Sequence, residues 1–145
     1  MNASKLFRPV AFLLVGVLMA CSSTPAPQTT LYTRLGGMAQ ITQIVNETVD
    51  RTSKDPRTKR NFDGINLPRT KASVATHLCA IAGGPCKYEG ENMTVAHTGM
   101  QISSLEFDVM DGYLGEALDR RGIDSKTKQE VQRLLSPMKP EIIEK

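Results

Sequence analysis

Two histidines and three cysteines hold most of the chemistry that this 145-residue chain can offer. His97 lies between Ala96 and Thr98, in a largely apolar stretch from Met93 to Met100. It follows Gly83-Gly84-Pro85 and Gly90, a glycine-broken connection that lets two elements cross closely. A neutral imidazole among greasy neighbours is what a haem iron takes as an axial ligand, because apolar walls keep water off the porphyrin. Taken alone, the same residue also reads as a surface or hydrogen-bonded histidine. His77 stands one helical turn beyond Ser73, on the face that carries Thr70 and Val74. It reads either as a second ligand or, more simply, as part of a pocket wall.

The cysteines suggest a compartment rather than a metal. Cys79 and Cys86 flank Ala80 to Pro85, where a helix is expected to end and the chain to turn. A disulfide is sterically possible there, and two buried, inert thiols are the alternative. Their spacing fits no zinc pattern. No catalytic carboxylate pair, nucleophile triad or phosphate-cradling loop is visible, so reactive chemistry would have to come from a bound group. No basic block occurs, and 5% aromatics without tryptophan leave little for base stacking, which excludes a nucleic-acid reading.

Helices must position these residues, since apolar residues recur at helical spacing and no strand-like alternation is convincing. Leu31 to Leu35 reads as an opening turn stopped by Gly36-Gly37. Met38 to about Thr52 follows, with Ile41, Ile44, Val45 and Val49 on one face. Asp55-Pro56 marks the next start and Phe62-Asp63-Gly64 a loop. Asn66 and Pro68 suit the first turn of a helix to about Ala82. A small helix is expected around Met93 to His97. Ser103 with Glu106 is a capping box for a long helix bearing Phe107, Met110, Leu114 and Leu118. Asp124 or Ser125 caps a last helix with Val131, Leu134 and Leu135, ended by Pro137 and Pro140.

The N-terminus reads as an address rather than as fold. Lys5 and Arg8 precede an apolar run, Val10 to Met19, that is short for a membrane span. Leu18-Met19-Ala20-Cys21 then resembles a bacterial lipobox, in which the thiol of Cys21 is acylated and the chain is cut before it. Residues 1–20 would be a lipoprotein signal peptide and 21–30 a polar, proline-containing tether. Loss of Lys5 and Arg8, with no acid before Cys21, takes the formal charge from +3 to +1. Each buried methylene of an acyl chain contributes about 0.8 kcal/mol, so several chains would anchor the domain durably. The expected location is the bacterial cell envelope, on the outer-membrane or periplasmic face.

Several residues in order carry a family resemblance: Leu31-Tyr32, Gly36-Gly37, Asp55-Pro56-Arg57, Phe62, Gly83-Gly84, Tyr88, Ala96-His97 and Phe107. From Leu31 to about Met138 the chain resembles the truncated haemoglobin family, group I. The resemblance implies an all-α, two-over-two helical sandwich over 31–145 and a haem b cofactor with its iron. It makes His97 the proximal ligand and stacks Phe62 on the porphyrin. Leu78, Tyr88, Met93, Met100, Phe107 and Met110 would line the pocket, with His77 in its wall. Thr70, Ser73 and Val74 would face the ligand, and Arg69 or Lys71 would pair with propionates. At Val49 many relatives carry a tyrosine that hydrogen-bonds the ligand. Losing such a donor costs about 1–3 kcal/mol, so fast release is expected.

What the family implies is reversible binding of dioxygen or another diatomic such as NO or CO, at the envelope. One rival is haem-dependent NO dioxygenase or peroxidase-like chemistry, which would need a reductase partner. Another is a haem-free helical sensor or scaffold lipoprotein. His97 argues against the last, since packing alone has no use for an imidazole facing an apolar slot.

Overall fold

Helix α1, Leu31–Arg34, begins where the Thr30 side chain accepts a hydrogen bond from the Thr33 backbone N–H, and it buries Leu31. The computed structural model describes residues 29–144, and every regular element among them is helical. The segments assigned to signal and tether up to residue 28, including Cys21, lie outside the described residues.

Gly36 and Gly37 both adopt positive φ, at 82° and 72°, the left-handed conformation that side chains resist. That sharp bend starts helix α2, Gly37–Thr52. Its apolar stripe of Ile41, Ile44, Val45 and Val49 is at most 2% exposed and forms the centre of the core. A 3-10 turn, Lys59–Phe62, leads to helix α3, Leu67–Ile81, capped by the Asn66 side chain, which accepts from the Arg69 N–H. Helix α4 spans Met93–His97 and helix α5 Ser104–Arg120. The capping box of Ser103 and Glu106 is present at the start of α5. Helix α6, Ser125–Leu135, is capped by Asp124.

Helix α2 packs against both α3 and α5, and α5 against α6, while α1 rests on α2 and α6. The pair α2–α3 over the pair α5–α6 is the two-over-two sandwich. The short α4 touches the far C-terminus instead.

Three local expectations differ from the structure. Asp55 opens no helix: its carboxylate accepts from the Arg57 N–H at 2.8 Å, from the Arg57 guanidinium, and from the Tyr113 hydroxyl at 2.6 Å. It is a buried knot that ties the end of α2 to α5. Pro137 and Pro140 do not stop the chain from coiling. Each sits in the first turn of a further piece, the 3-10 turn Ser136–Met138 and helix α7, Lys139–Ile142. First-turn positions leave their N–H unused, so proline loses nothing there. Leu134 leaves the buried stripe of α6 and is 39% exposed, whereas Val131 is fully buried.

After α7 the chain runs beside the segment between α4 and α5. Ile102 and Ile143 form an isolated parallel bridge, and the Glu144 N–H donates to Ile102 O at 2.8 Å. The C-terminal residues thereby close one side of the interior.

Candidate functional site: a cavity with one imidazole on its wall

Helix α4 is only five residues long, so its caps decide where His97 points. The Asn92 side chain accepts from the Val95 N–H at 2.9 Å and fixes the first turn. At the last position, His97 Nδ1 lies 2.7 Å from Met93 O. A carbonyl can only accept, so Nδ1 carries the proton and donates, which leaves the lone pair on Nε2. Metal-bound histidines are commonly held this way, through a hydrogen bond from the other ring nitrogen. Thr98 then leaves the helix, and Gly99, at φ 81°, turns the chain toward α5.

His97 borders a cavity of about 450 Å³ between α2, α3, α4 and α5. That falls within the usual range of about 300–1,000 Å³ for small-molecule and cofactor sites. Phe62, Thr70, Val74, His77, Leu78, Tyr88, Met93, Met100 and Phe107, all nominated from the sequence, border the same space. So do Val49, Ser73 and Met110. Lys71 does not; its ammonium is 2.7 Å from Asp50 Oδ1 on α2. Arg69 does border the cavity, is exposed, and makes no salt bridge among the described residues.

The wall facing Val49 is poorer in donors than the sequence suggests. Val49 is fully buried, and the Thr70 hydroxyl donates back to Asn66 O at 3.1 Å in its own helix. Thr48 and Thr52 likewise spend their hydroxyl protons on the carbonyls of Ile44 and Thr48. His77 is half-buried, and burial pushes its imidazole pKa below the ordinary value, which favours the neutral ring. Its ring meets Tyr88 edge-on, with centroids 4.7 Å apart.

Sequence reasoning missed the floor made by Leu135, Met138 and Ile142, because their proline-rich context reads as a helix stop. It also missed Glu106 as a wall residue. Glu106 is 7% exposed and accepts from the Arg60 guanidinium, Asn61 and Ser103. Arg60 foremost holds its carboxyl down at about 2. The capping box identifies Glu106 as a helix-start residue, but nothing in the sequence pairs it with Arg60.

Among the described residues, no group of three or more His, Cys, Asp or Glu can hold a bare metal ion. A metal at His97 must therefore bring most of its donors with it. A flat apolar macrocycle with a central iron meets that condition, and one neutral imidazole on an apolar wall is the donor set it needs. The residues present fit haem.

Known proteins resemble this chain in sequence and fold. The bacterial-like globin family model matches residues 30–144. The group 1 truncated hemoglobin GlbN of Mycolicibacterium paratuberculosis is 31% identical over 81% of this chain and 86% of its own length. GlbN of Nostoc commune, also a group 1 truncated hemoglobin, is 28% identical over 80% of this chain and 98% of its own. The Fe(III) form of truncated hemoglobin from Tetrahymena pyriformis superimposes with a TM-score of 0.77 at 27% identity, covering 80% of this chain and 99% of that one. The chain belongs to the bacterial-like globin family, as a truncated haemoglobin of group I.

Proposed function

We propose that this protein is an envelope-anchored globin that binds dioxygen reversibly and releases it fast. When bound, haem iron would supply the site at which a diatomic gas binds. His97 would hold the cofactor through Nε2, with Met93 O keeping its Nδ1 proton in place. Phe62, Phe107 and the methionines would exclude water from the two faces. Arg69 is the cation left to meet the acidic edge, since Lys71 is engaged by Asp50.

One observation carries the kinetic part of this reading. On the α2 side of the cavity Val49 is fully buried, and the Thr48 and Thr70 hydroxyls donate into their own helices, which leaves the Ser73 hydroxyl as a weak donor. Nothing strong there holds a polar ligand. Stopped-flow displacement of dioxygen from the ferrous protein tests it, and fast release is expected. Release slower than in a tyrosine-bearing relative contradicts it.

The envelope location rests on sequence alone, through Leu18-Met19-Ala20-Cys21 and the polar stretch after it. Labelled palmitate should enter the expressed chain and be lost in Cys21→Ser. Unchanged labelling of that variant contradicts acylation at Cys21.

A further inference from the structure

Helix α3 and the segment leading to α4 are joined twice, in register. Cys79, fully buried in the last turn of α3, is disulfide-bonded to Cys86, with their Cα atoms 5.8 Å apart. Two residues back along the helix and two forward along the segment, His77 and Tyr88 meet edge to face, their ring planes 63° apart. Both rings border the cavity, while the disulfide lies behind them.

The segment has little else to hold it. No backbone–backbone hydrogen bond engages residues 85–91 among the described residues. The reversal before it is tight: Gly84 N–H donates to Cys79 O at 2.9 Å. A Cβ on Gly84 would lie 2.5 Å from the Tyr32 ring and 2.7 Å from Cys79 Sγ. Beyond the rings, the Tyr88 hydroxyl donates to Glu91 O at 3.1 Å, next to Asn92, which caps the helix of His97. Placement therefore passes from the disulfide to Tyr88 and on to α4.

We infer that the Cys79–Cys86 disulfide and the His77–Tyr88 ring contact form a clamp that keeps the haem cavity closed, so that cofactor retention depends on the disulfide. The inference rests on the haem reading above. Burial pushes the His77 pKa below its ordinary value, a direction that favours the neutral ring in this contact. Tyr88 and the disulfide are positioning groups, acting through α4 and the wall.

The test is transfer of hemin from the loaded full chain to excess apomyoglobin, followed in the Soret region. Cys79→Ser/Cys86→Ser and Tyr88→Ala should each release hemin about tenfold faster. Tyr88→Phe, which keeps the ring edge but loses the bond to Glu91 O, should fall between Tyr88→Ala and the unaltered chain. A companion measurement needs no cofactor. In the apoprotein, the nuclear Overhauser contact between the His77 and Tyr88 rings should vanish in the double serine variant. Hemin held as long as in the unaltered chain by either the double serine variant or Tyr88→Ala overturns the clamp. So does survival of the ring contact without the disulfide. Should the double serine variant not fold, Tyr88→Ala decides. Failure of the unaltered chain to take up hemin defeats the haem reading instead, and the apoprotein contact still judges the clamp.

Discussion

The guanidinium of Arg60 grips both oxygens of the Glu106 carboxylate, with Nε 2.7 Å from Oε1 and Nη2 2.6 Å from Oε2. Arg60 precedes Phe62 on the 3-10 turn, and Glu106 precedes Phe107 in the first turn of α5. One ion pair thus ties together the two segments that carry the phenylalanines bordering the cavity. Asn61 Nδ2, 3.0 Å from Oε1, and the Ser103 N–H and hydroxyl, 2.8 and 2.7 Å from Oε2, complete the carboxylate's partners.

Replacing Glu106 by Gln removes the charge from a buried acceptor and leaves Arg60 short of a partner. A loss of about 1–3 kcal/mol is expected in urea unfolding, because the Glu106 carboxylate is itself buried, although Arg60 is exposed. An unchanged midpoint would show that the pair does not stabilise this junction.

Acid should weaken the fold in a defined window. The Glu106 carboxyl is lowered from 4.5 to about 2, with Arg60 the largest cause. Hydrogen bonds from Arg57 and then Tyr113 hold Asp55 well below the usual carboxylate range. A depressed carboxyl stabilises the fold fully above its unfolded pKa and loses that contribution as pH falls toward its folded one. Denaturant midpoints should therefore drop between pH 4.5 and about 2. The drop should be shallower in Glu106→Gln. Equal slopes in the two proteins would contradict this origin.

Gly84→Ala tests the close approach at the end of α3. Its new Cβ would lie 2.8 Å from Cys79 O and 2.5 Å from the Tyr32 ring, so α1 or α3 must move. The Tyr32 N–H donates to Ala82 O at 2.8 Å and resists such a shift. A cost of about 1–3 kcal/mol is expected from thermal or urea unfolding. Full stability would mean that the crossing is looser than its distances indicate.

Much of this was legible in the sequence, for reasons that particular residues make clear. The stripe of α2 could be read because Ile41, Ile44, Val45 and Val49 repeat at helical spacing and are all buried. The small helix expected around Met93 to His97 is α4, and the structure shows the Asn92 cap that starts it. His97 stood out because a polar ring in an apolar stretch needs a purpose. What escaped notice depends on contacts between residues distant along the chain. Periodicity carries no information on Arg60 meeting Glu106, or Tyr113 meeting Asp55. Prolines that stop one helix also start another, so Pro137 and Pro140 conceal the turns that bring Met138 and Ile142 to the cavity.

Val49→Tyr should place a phenol donor on the α2 wall of the cavity. Val49 is fully buried but borders the cavity, so a phenol has space to enter. Dioxygen release should slow by about ten- to a hundredfold, the equivalent of one strong hydrogen bond. No change in release would place Val49 away from the ligand.

The most direct measurement is hemin titration of the chain beginning at Thr29, alongside His97→Ala. The unaltered chain should develop a Soret band that saturates at one equivalent. The variant should not, and free imidazole should restore the band by supplying the missing nitrogen. An unaltered chain that leaves the spectrum of free hemin unchanged, or a His97→Ala variant whose band matches that of the unaltered chain, would contradict the account.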